Sequence, residues 1–412
     1  MATVDANAVT TNDTKLGGSV MLHRFIVLFA VVLLVVTVAA PARAQILAMV
    51  NYESKVQQGL KGGDVTGHPS RKEGIAVIDV DPNSKNFGKI LANIPLPASL
   101  VAHHIFYNRD MSKAYVTALG LQRMYVMDMK KLDYRLKKID VAGCKVGEDV
   151  VFSDDNKTWY LTCMGSANVV VGDAATDKMK SIITLPKPYP HGIAIHGGID
   201  RILVTETVSP DLKIPGETIT AIEASTGKPL KTYKLSGKPS PSGAAPVEIL
   251  FVPGANPPVA YVTNMFGHTL WTATWNAAAK DFDIAQAHDF NGSGSGVPLE
   301  MYFNAKADRL YVTTAKPGHL HIFDLGAGPA KPKLLKTLPA AGGAHHVAFT
   351  KDWRYAFVQN ALLNLPGMDD GAITVVDLKT EKVVASVDTL KNMGLNPNSI
   401  VLLPKWNHLA GH

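Results

Sequence analysis

One repeated unit limits the folds open to this chain more than any other feature of the sequence. Residues 101–117 begin with two histidines, continue into a short apolar strand and a polar turn, and end in Tyr-Val-Thr. The same layout returns at residues 344–360, again with paired histidines at its head, and looser copies lie between the two. The copies recur every roughly 40–50 residues, each with four short β-rich strands, which is the pattern of β-propeller blades. The complete copies have their heads at His103, Glu148, His191, Val247, Leu299 and His345.

The two ends of the chain supply a further copy. Residues 398–402 match the first strand of a unit but have no partners downstream, whereas residues 46–51, 74–81 and 89–96 match a second, third and fourth strand. Joining them closes the ring and leaves no exposed sheet edge. The sequence therefore predicts an all-β fold, a single seven-bladed β-propeller over residues 45–412, closed by N-terminal strands that pair with the C-terminal strand.

The N-terminal segment has the order of a secretory signal peptide. His23 and Arg24 precede an apolar run over residues 25–39, and Ala42-Arg43-Ala44 provides a small-residue cleavage site. Met21 is an alternative start, and an uncleaved membrane anchor is the alternative function of the apolar run. We expect residues 1–44 to be removed, so that the mature protein is periplasmic and has no membrane contact after cleavage.

Composition excludes some partners and sets the redox context. The formal charge of +6 is spread along the chain without a Lys/Arg run, so no nucleic-acid partner is expected. Of the residues, 46% are hydrophobic and 18% charged, which is enough apolar material for an ordered core. The two cysteines, Cys144 and Cys163, fall on one blade, and export favours a disulfide between them. A thiolate ligand or a reactive thiol is the alternative.

Propeller geometry should gather the polar heads of the repeats. The first strand of each blade lines the central channel, so all heads lie at one end of it, which we call the upper face. The turns between second and third strands share this face. The heads carry His103, His104, Glu148, Asp149, His191, Glu248, Glu300, His345 and His346. The turns and the insertion over residues 52–72 add Arg123, His268, His319 and His68.

Imidazoles grouped with carboxylates are ligands for copper, zinc or non-haem iron, and a histidine-rich exported site poor in thiolate suits copper. The predicted metal ligands are His103, His104, His191, His345 and His346, with His268 and His319 completing the site or contacting substrate. Glu248 and Glu300 are candidate general bases or ligands, and Arg123 is a candidate for orienting a polar or anionic substrate. Adjacent residues of an ideal strand point to opposite faces, so one histidine of each pair is expected to support the other. The alternative is that these side chains are solvated loop residues.

Several stretches resemble selenium-binding proteins and methanethiol oxidases. They are the run GIAVIDVDPNSKNFGKIL at 74–91, IPLP at 94–97, the pair His103-His104, PVEILF at 246–251 and the segment 371–380. The Tyr-Val-Thr-Asn strand is also similar to YVTN-repeat propellers. The resemblance implies a seven-bladed propeller with a copper site on His103 and His104, joined by His345 and His346. The cysteine-rich N-terminal region associated with selenium binding has no counterpart, so selenium is not expected.

Two functional hypotheses follow. The first is a periplasmic copper-dependent oxidoreductase that acts on a small sulfur compound such as methanethiol or thiocyanate and passes electrons to a periplasmic acceptor. The exported copper propellers thiocyanate dehydrogenase and nitrous oxide reductase also gather histidines from several blades. A multinuclear copper site is therefore retained as an alternative. The second is a non-catalytic YVTN-type propeller that binds metal or a partner protein through its upper face.

Overall fold

Seven antiparallel sheets are built from the seven sequence copies. The computed structural model describes residues 45–55, 71–131 and 133–410. The expected signal segment and His68 lie outside the described residues. Each sheet pairs its strands in chain order from the channel outwards, with two exceptions. The seventh sheet begins with a strand from the C-terminal end of the chain, and the sixth has an extra C-terminal strand at its inner edge.

Blades 1 to 3 each contain four consecutive strands. Blade 1 comprises β4 (Ala102–Tyr107), β5 (Lys113–Ala118), β6 (Arg123–Asp128) and β7 (Leu136–Asp140). Blade 2 comprises β8 (Gly147–Phe152), β9 (Thr158–Cys163), β10 (Asn168–Asp173) and β11 (Lys178–Thr184). Blade 3 comprises β12 (Pro190–His196), β13 (Arg201–Glu206), β14 (Thr218–Glu223) and β15 (Lys228–Lys234).

Blades 4 to 6 follow the same order. Blade 4 comprises β16 (Pro246–Phe251), β17 (Val259–Asn264), β18 (Thr269–Asn276) and β19 (Asp281–Asp289). Blade 5 comprises β20 (Gly296–Phe303), β21 (Arg309–Lys316), β22 (Gly318–Asp324) and β23 (Lys333–Pro339). Blade 6 comprises β24 (Ala344–Thr350), β25 (Tyr355–Asn360), β26 (Ile373–Asp377) and β27 (Lys382–Val387).

Blade 7 closes the ring with strands from both ends of the chain, as predicted. Its strands are β28 (Leu395–Leu402), β1 (Leu47–Ser54), β2 (Glu73–Asp79) and β3 (Ile90–Leu96). The inner strand β28 pairs with β1, so that Val50 lies opposite Ile400. The prediction of a seven-bladed propeller closed in this way is confirmed.

Two small elements were not foreseen from the repeat. A single helical turn, α1 (Thr389–Asn392), connects blade 6 to β28. After β28 the chain turns back, and the short strand β29 (Asn407–His408) pairs with β24 on the inner side of blade 6. Among the described residues, no helix is long and apolar enough to cross a membrane.

The core lies between neighbouring blades, where the middle strands pack their alternating apolar side chains. The tyrosine and valine of the Tyr-Val-Thr strands are buried there; Tyr115, Val116, Tyr261 and Val262 are all fully inaccessible to solvent. β-branched and aromatic residues suit this pleated, two-sided environment. The channel-lining strands are thereby held rigidly, and their heads can carry polar side chains in fixed positions.

Candidate metal centre

A β-bulge at the head of each inner strand places adjacent residues on the same side. In blade 1, Ala102 lies opposite Ala118 and Ile105 opposite Val116, so His103 and His104 together face Thr117. Two residues opposite one is the defining feature of a bulge, and it suspends the usual alternation of side chains. The rings of the two histidines therefore stack, with their centroids 3.7 Å apart. The expectation that only one histidine of a pair could face the channel failed to allow for this bulge.

The same bulge recurs at corresponding positions in blades 2 to 6. It is preceded in blades 1 to 5 by a residue in the left-handed region, and these residues are Val101, Val146, Tyr189, Ala245 and Val297. Blade 6 has Gly343 there. A β-branched residue at positive φ is unfavourable by about 1–3 kcal/mol and is typical of functional sites. The heads are thus held in a backbone conformation that the local sequence does not favour.

Threonine hydroxyls on the second strands stabilise these bulges. The backbone N–H of His104 donates to Thr117 Oγ1 at 3.1 Å, and that of Asp149 donates to Thr162 Oγ1 at 3.0 Å. In blade 6, Gln359 Oε1 takes the same part toward the N–H of His346 at 3.0 Å. This role of the Tyr-Val-Thr threonines was missed in the sequence. The signal was the threonine itself, a polar residue repeated at one buried position.

The first group of metal-binding side chains joins blades 1, 2 and 3. Glu148 Oε2 lies 3.1 Å from His103 Nε2 and 3.6 Å from His191 Nε2. All three side chains are buried. One potential ligand atom from each residue lies within 4.8 Å of the others, which is close enough for a single ion to bridge them.

The second group joins blades 1 to 4, through residues that follow or neighbour those of the first group. Asp149 Oδ1 lies 2.9 Å from His104 Nδ1, and its Oδ2 lies 3.4 Å from His191 Nδ1. Asp149, His191 and Glu248 also bring ligand atoms within 4.8 Å of one another. Glu248 itself accepts a hydrogen bond from the backbone N–H of Ile249 at 2.8 Å. His191 therefore belongs to both groups and links them.

The third group comes from blades 1 and 6. His104, His345 and His346 bring three imidazole nitrogens within 4.8 Å of one another. The ring centroids of His104 and His346 are 4.3 Å apart, and those of His345 and His346 are 4.2 Å apart. Glu300 supports this pair, with its Oε1 3.4 Å from His345 Nε2 and its Oε2 3.8 Å from His346 Nδ1. These three groups together form what we call the head cluster.

Burial and mutual interactions set the protonation of the cluster. Burial lowers the pKa of His104 and of His346 well below the usual range, and neighbouring imidazoles lower it further. Burial alone would raise the pKa of Asp149, but the adjacent His191 and His104 hold it well below its usual range. Burial opposes a charge on His191 as well, yet Asp149 and Glu148 raise its pKa to about 10. His104 and His346 therefore keep a free lone pair at neutral pH, which metal ligation requires.

The cluster contains many buried polar atoms without a hydrogen-bond partner in the described part of the chain. They are His103 Nδ1, His104 Nε2, Glu148 Oε2, Asp149 Oδ2, His191 Nδ1, Glu300 Oε1 and His346 Nε2. Among the described residues, His103 Nδ1, His104 Nε2 and His346 Nε2 have no ion-pair contact either, and a buried polar atom in this state costs about 1–3 kcal/mol. The ion pairs that Glu148, Asp149 and Glu300 form among the described residues are all with imidazoles. Buried nitrogen and oxygen donors in this state fit a metal cation, which would satisfy several of them at once.

An apolar cavity of about 90 Å³ opens onto the cluster from the upper face. Its base is formed by His103, Glu148, His191 and His345. Its walls are apolar side chains of the connections above, including Met265, Leu299, Leu362, Leu365 and Met368. Long connections after β13 and β25 supply much of this wall, and sequence analysis had assigned them no function.

The other predicted site residues lie away from the head cluster. His268 is at an exposed turn, where its Nδ1 lies 2.9 Å from Asn291 Oδ1. His319 Nδ1 lies 3.0 Å from Ser295 Oγ. Arg123 opens β6 and does not line the apolar cavity within the described part of the chain. The structure therefore brings together the five head histidines with Glu248 and Glu300, and leaves out Arg123 and the two turn histidines.

Cys144 and Cys163 form a disulfide. Cys163 pairs with Gly147 immediately before the blade 2 head, so the bridge fastens the segment that carries Glu148 and Asp149. The disulfide between these two cysteines agrees with the expectation from sequence. Neither sulfur is free to act as a thiolate ligand while the bridge is intact.

Comparison with known proteins identifies the architecture. No protein-family model matches the sequence, and no curated protein matches it either. A hypothetical selenium-binding protein from Sulfolobus tokodaii superposes with a TM-score of 0.69 at 13% identity, over 89% of this chain and 95% of that one. The hydrazine synthase of Kuenenia stuttgartiensis gives a TM-score of 0.57 at 15% identity, over 75% of this chain and 92% of that one.

A periplasmic gluconolactonase of Pseudomonas aeruginosa gives a TM-score of 0.60 at 12% identity, over 86% of this chain and 99% of that one. These neighbours differ in the activities their names describe. At such identities the likeness extends to the fold and not to the function. By fold, the chain belongs among the β-propellers.

Proposed function

We propose that this protein is a periplasmic metal-dependent oxidoreductase that uses copper to oxidise a small sulfur compound. The observation that carries the proposal is the head cluster, in which imidazoles and carboxylates from several blades are buried together with unsatisfied ligand atoms beside an apolar cavity. Solvated loop residues, the alternative considered from sequence, would be exposed. His104 is fully buried and Glu148 and Glu300 are nearly so.

The donor set favours a transition metal. Imidazole and carboxylate ligands suit copper, zinc and iron, and among divalent first-row metals copper binds such sites most tightly. His103, Glu148 and His191 would hold one ion, and His104, His345 and His346 would hold another. Bound copper would supply the one-electron oxidation steps. A bound cation would share the two carboxylate neighbours of His191, so the imidazole would lose its proton and become a ligand.

The cavity defines the class of substrate. A volume of about 90 Å³ admits a molecule of only a few heavy atoms. Among the described residues that line it there is no lysine or arginine. Apart from Glu148 and the imidazoles at its base, the cavity is lined largely by apolar side chains, so a small neutral thiol would lose less hydration there than an anion such as thiocyanate. We therefore favour a small neutral thiol over thiocyanate as the substrate.

Glu148 is positioned to handle the proton of such a substrate. It is the carboxylate among the described residues lining the cavity, and it lies 3.1 Å from His103 Nε2. A thiol that approaches through the cavity can transfer its S–H proton to a Glu148 oxygen as its sulfur approaches the head cluster. Glu248 and Glu300 lie behind the histidines, where they hold and orient the ligands. The electrons would leave to a periplasmic acceptor.

Metal analysis tests the proposal. The full-length protein would be isolated from periplasm, loaded with copper, desalted and analysed by mass spectrometry for bound metals. We expect at least one copper per chain, lost in a His103→Ala/His345→Ala variant and retained in a His268→Ala/His319→Ala variant. The second variant is a matched control, because it removes two upper-face histidines that lie outside the head cluster. Copper that is absent, or that survives the first variant unchanged, would refute a copper centre here.

Activity then separates an enzyme from a metal carrier. Consumption of methanethiol or thiocyanate would be followed with dioxygen and with a redox dye as acceptors. We expect thiol turnover by the copper-loaded protein and a lower turnover per bound copper in Glu148→Gln, whose copper content would be measured alongside. Full copper occupancy without turnover of either compound would instead support the non-catalytic, metal-binding propeller.

A further inference from the structure

We propose that the head cluster is reached from two opposite sides, and that a small chamber on its lower side takes a neutral, gas-sized ligand. The proposal rests on the function proposed above and adds a second ligand site to it. The chamber has a volume of about 60 Å³ and is lined by His346. It lies below the head cluster, whereas the apolar cavity lies above it. Apart from His346, its walls include Ile105, Tyr107, Tyr302, Ile400 and Leu409.

The C-terminal tail forms the floor of this chamber. After β28 the chain re-enters the channel, where Asn407 and His408 pair with Thr350 and Phe349 of β24. The backbone N–H of Phe303 donates to the carbonyl of Ala410 at 2.7 Å, which fastens the tail to blade 5 as well. The tail thus spans two blades across the lower end of the channel.

The polar groups of the wall are largely satisfied within the protein. Tyr107 donates its hydroxyl to the carbonyl of Leu402 at 2.9 Å, and Tyr302 Oη accepts from the backbone N–H of Val347 at 2.9 Å. The exceptions among the lining residues are two ring nitrogens, His346 Nε2 and His408 Nδ1, which have no hydrogen-bond partner in the described part of the chain. His346 is 7% exposed and belongs to the head cluster.

These features define the ligand class. A cavity of this size holds a small molecule of a few heavy atoms. The walls contain no lysine, arginine, aspartate or glutamate among the described residues. A charged ligand is therefore disfavoured. A neutral diatomic ligand fits the chamber and would approach the metal ligands beside His346.

The separation has a chemical consequence. His103, Glu148, His191 and His345 face the upper cavity, whereas His346 faces the lower chamber. Two different ligands can therefore approach one cluster without displacing each other.

Xenon provides a probe that does not depend on metal. Crystals of the full-length protein pressurised with xenon should show an atom in the lower chamber, and Leu409→Trp should remove it. Leu365→Trp is the matched control, since it makes the same substitution in the wall of the upper cavity. Xenon absent from the chamber of the wild-type protein would overturn the proposal, whether or not the protein binds copper.

Carbon monoxide tests access to the metal itself. With copper-loaded, reduced protein, Leu409→Trp should slow carbon monoxide binding about tenfold, equivalent to about 1.4 kcal/mol, and Leu409→Ala should speed it, because the substitutions narrow and widen the space beside His346. Leu365→Trp should instead raise the KM for thiol and leave the carbon monoxide rate unchanged. Equal carbon monoxide rates in all Leu409 variants would show that ligands do not enter from below. Protein without copper fails the function proposed above, and the xenon result then decides the chamber alone.

Discussion

Replacing Thr162 by valine tests whether the second-strand hydroxyls hold the head cluster in place. Thr162 is fully buried, and valine has nearly the same shape. Its hydroxyl accepts from the N–H of Asp149 at 3.0 Å and donates to the carbonyl of His191 in the next blade at 2.6 Å. The substitution therefore removes both partners without creating a cavity.

The magnitude follows from the two groups left behind. A buried N–H and a buried carbonyl that lose their partners together cost about 2–4 kcal/mol. We expect the metal-free protein to show this loss as a lower urea midpoint with an unchanged slope, since the surface exposed on unfolding stays the same. Loosening a support behind the ligands typically weakens metal affinity about 10–100-fold, so copper affinity should fall as well.

Thr220→Val provides the control for this experiment. Thr220 is a buried threonine of blade 3, 3% exposed, whose hydroxyl makes no side-chain hydrogen bond with the described residues. Its replacement should change the urea midpoint and copper affinity little. If the two variants unfold at the same midpoint and bind copper equally, the hydroxyl of Thr162 does not support the cluster and the reasoning is wrong.

Three further predictions concern the scaffold. Burial lowers the pKa of His321 to about 3, whereas in the unfolded chain it is about 6.5. As the pH falls from 6.5 toward 3, the unfolded chain therefore gains a proton that the folded protein does not. The free energy of unfolding falls accordingly, by about 2 kcal/mol at pH 5. His321→Gln should therefore show a smaller loss of unfolding free energy between pH 7.5 and 5 than the wild type, and an equal loss would contradict this. Gly172→Ala should destabilise by about 3 kcal/mol or more in urea unfolding, because its Cβ would lie 1.9 Å from the buried ring of Trp159; a wild-type midpoint would contradict that packing. Replacing Cys144 and Cys163 together by alanine should cost about 3 kcal/mol, given their separation of 19 residues, and intact mass of the unreduced wild type should be 2 Da below its reduced form (about two hydrogen atoms).

The blades and their closure could be predicted from sequence because their signals are local. Alternating apolar residues, polar turns and a fixed repeat length determine a strand order that needs no knowledge of distant contacts. The register of residues 398–402 against the other heads was enough to place the last strand beside the first. The convergence of His103, His191 and His345 then followed from the geometry of a ring.

The details of the site depended on information that the pattern does not carry. Strand alternation predicts that one residue of each head pair points away, and only the bulge reverses this for His104 and Asp149. His268, at a turn, and His319, near the start of β22, share the upper face but lie outside the cluster, so a shared face did not imply a shared site. The tail over residues 407–410 matches no repeat, and its position depends on pairing with β24.

The conformation of the heads is best explained by what they bind. Each bulge with its left-handed residue is costly, and so are the unpartnered ligand atoms of the cluster. A propeller needs neither for folding, since plain inner strands would pair equally well. The threonine, glutamine and asparagine side chains that satisfy the bulges, such as Asn51 donating to the carbonyl of His103 at 2.6 Å, keep this arrangement in place before any ion is bound. The ring therefore maintains a preorganised set of donors at a cost in stability, which a bound cation would offset.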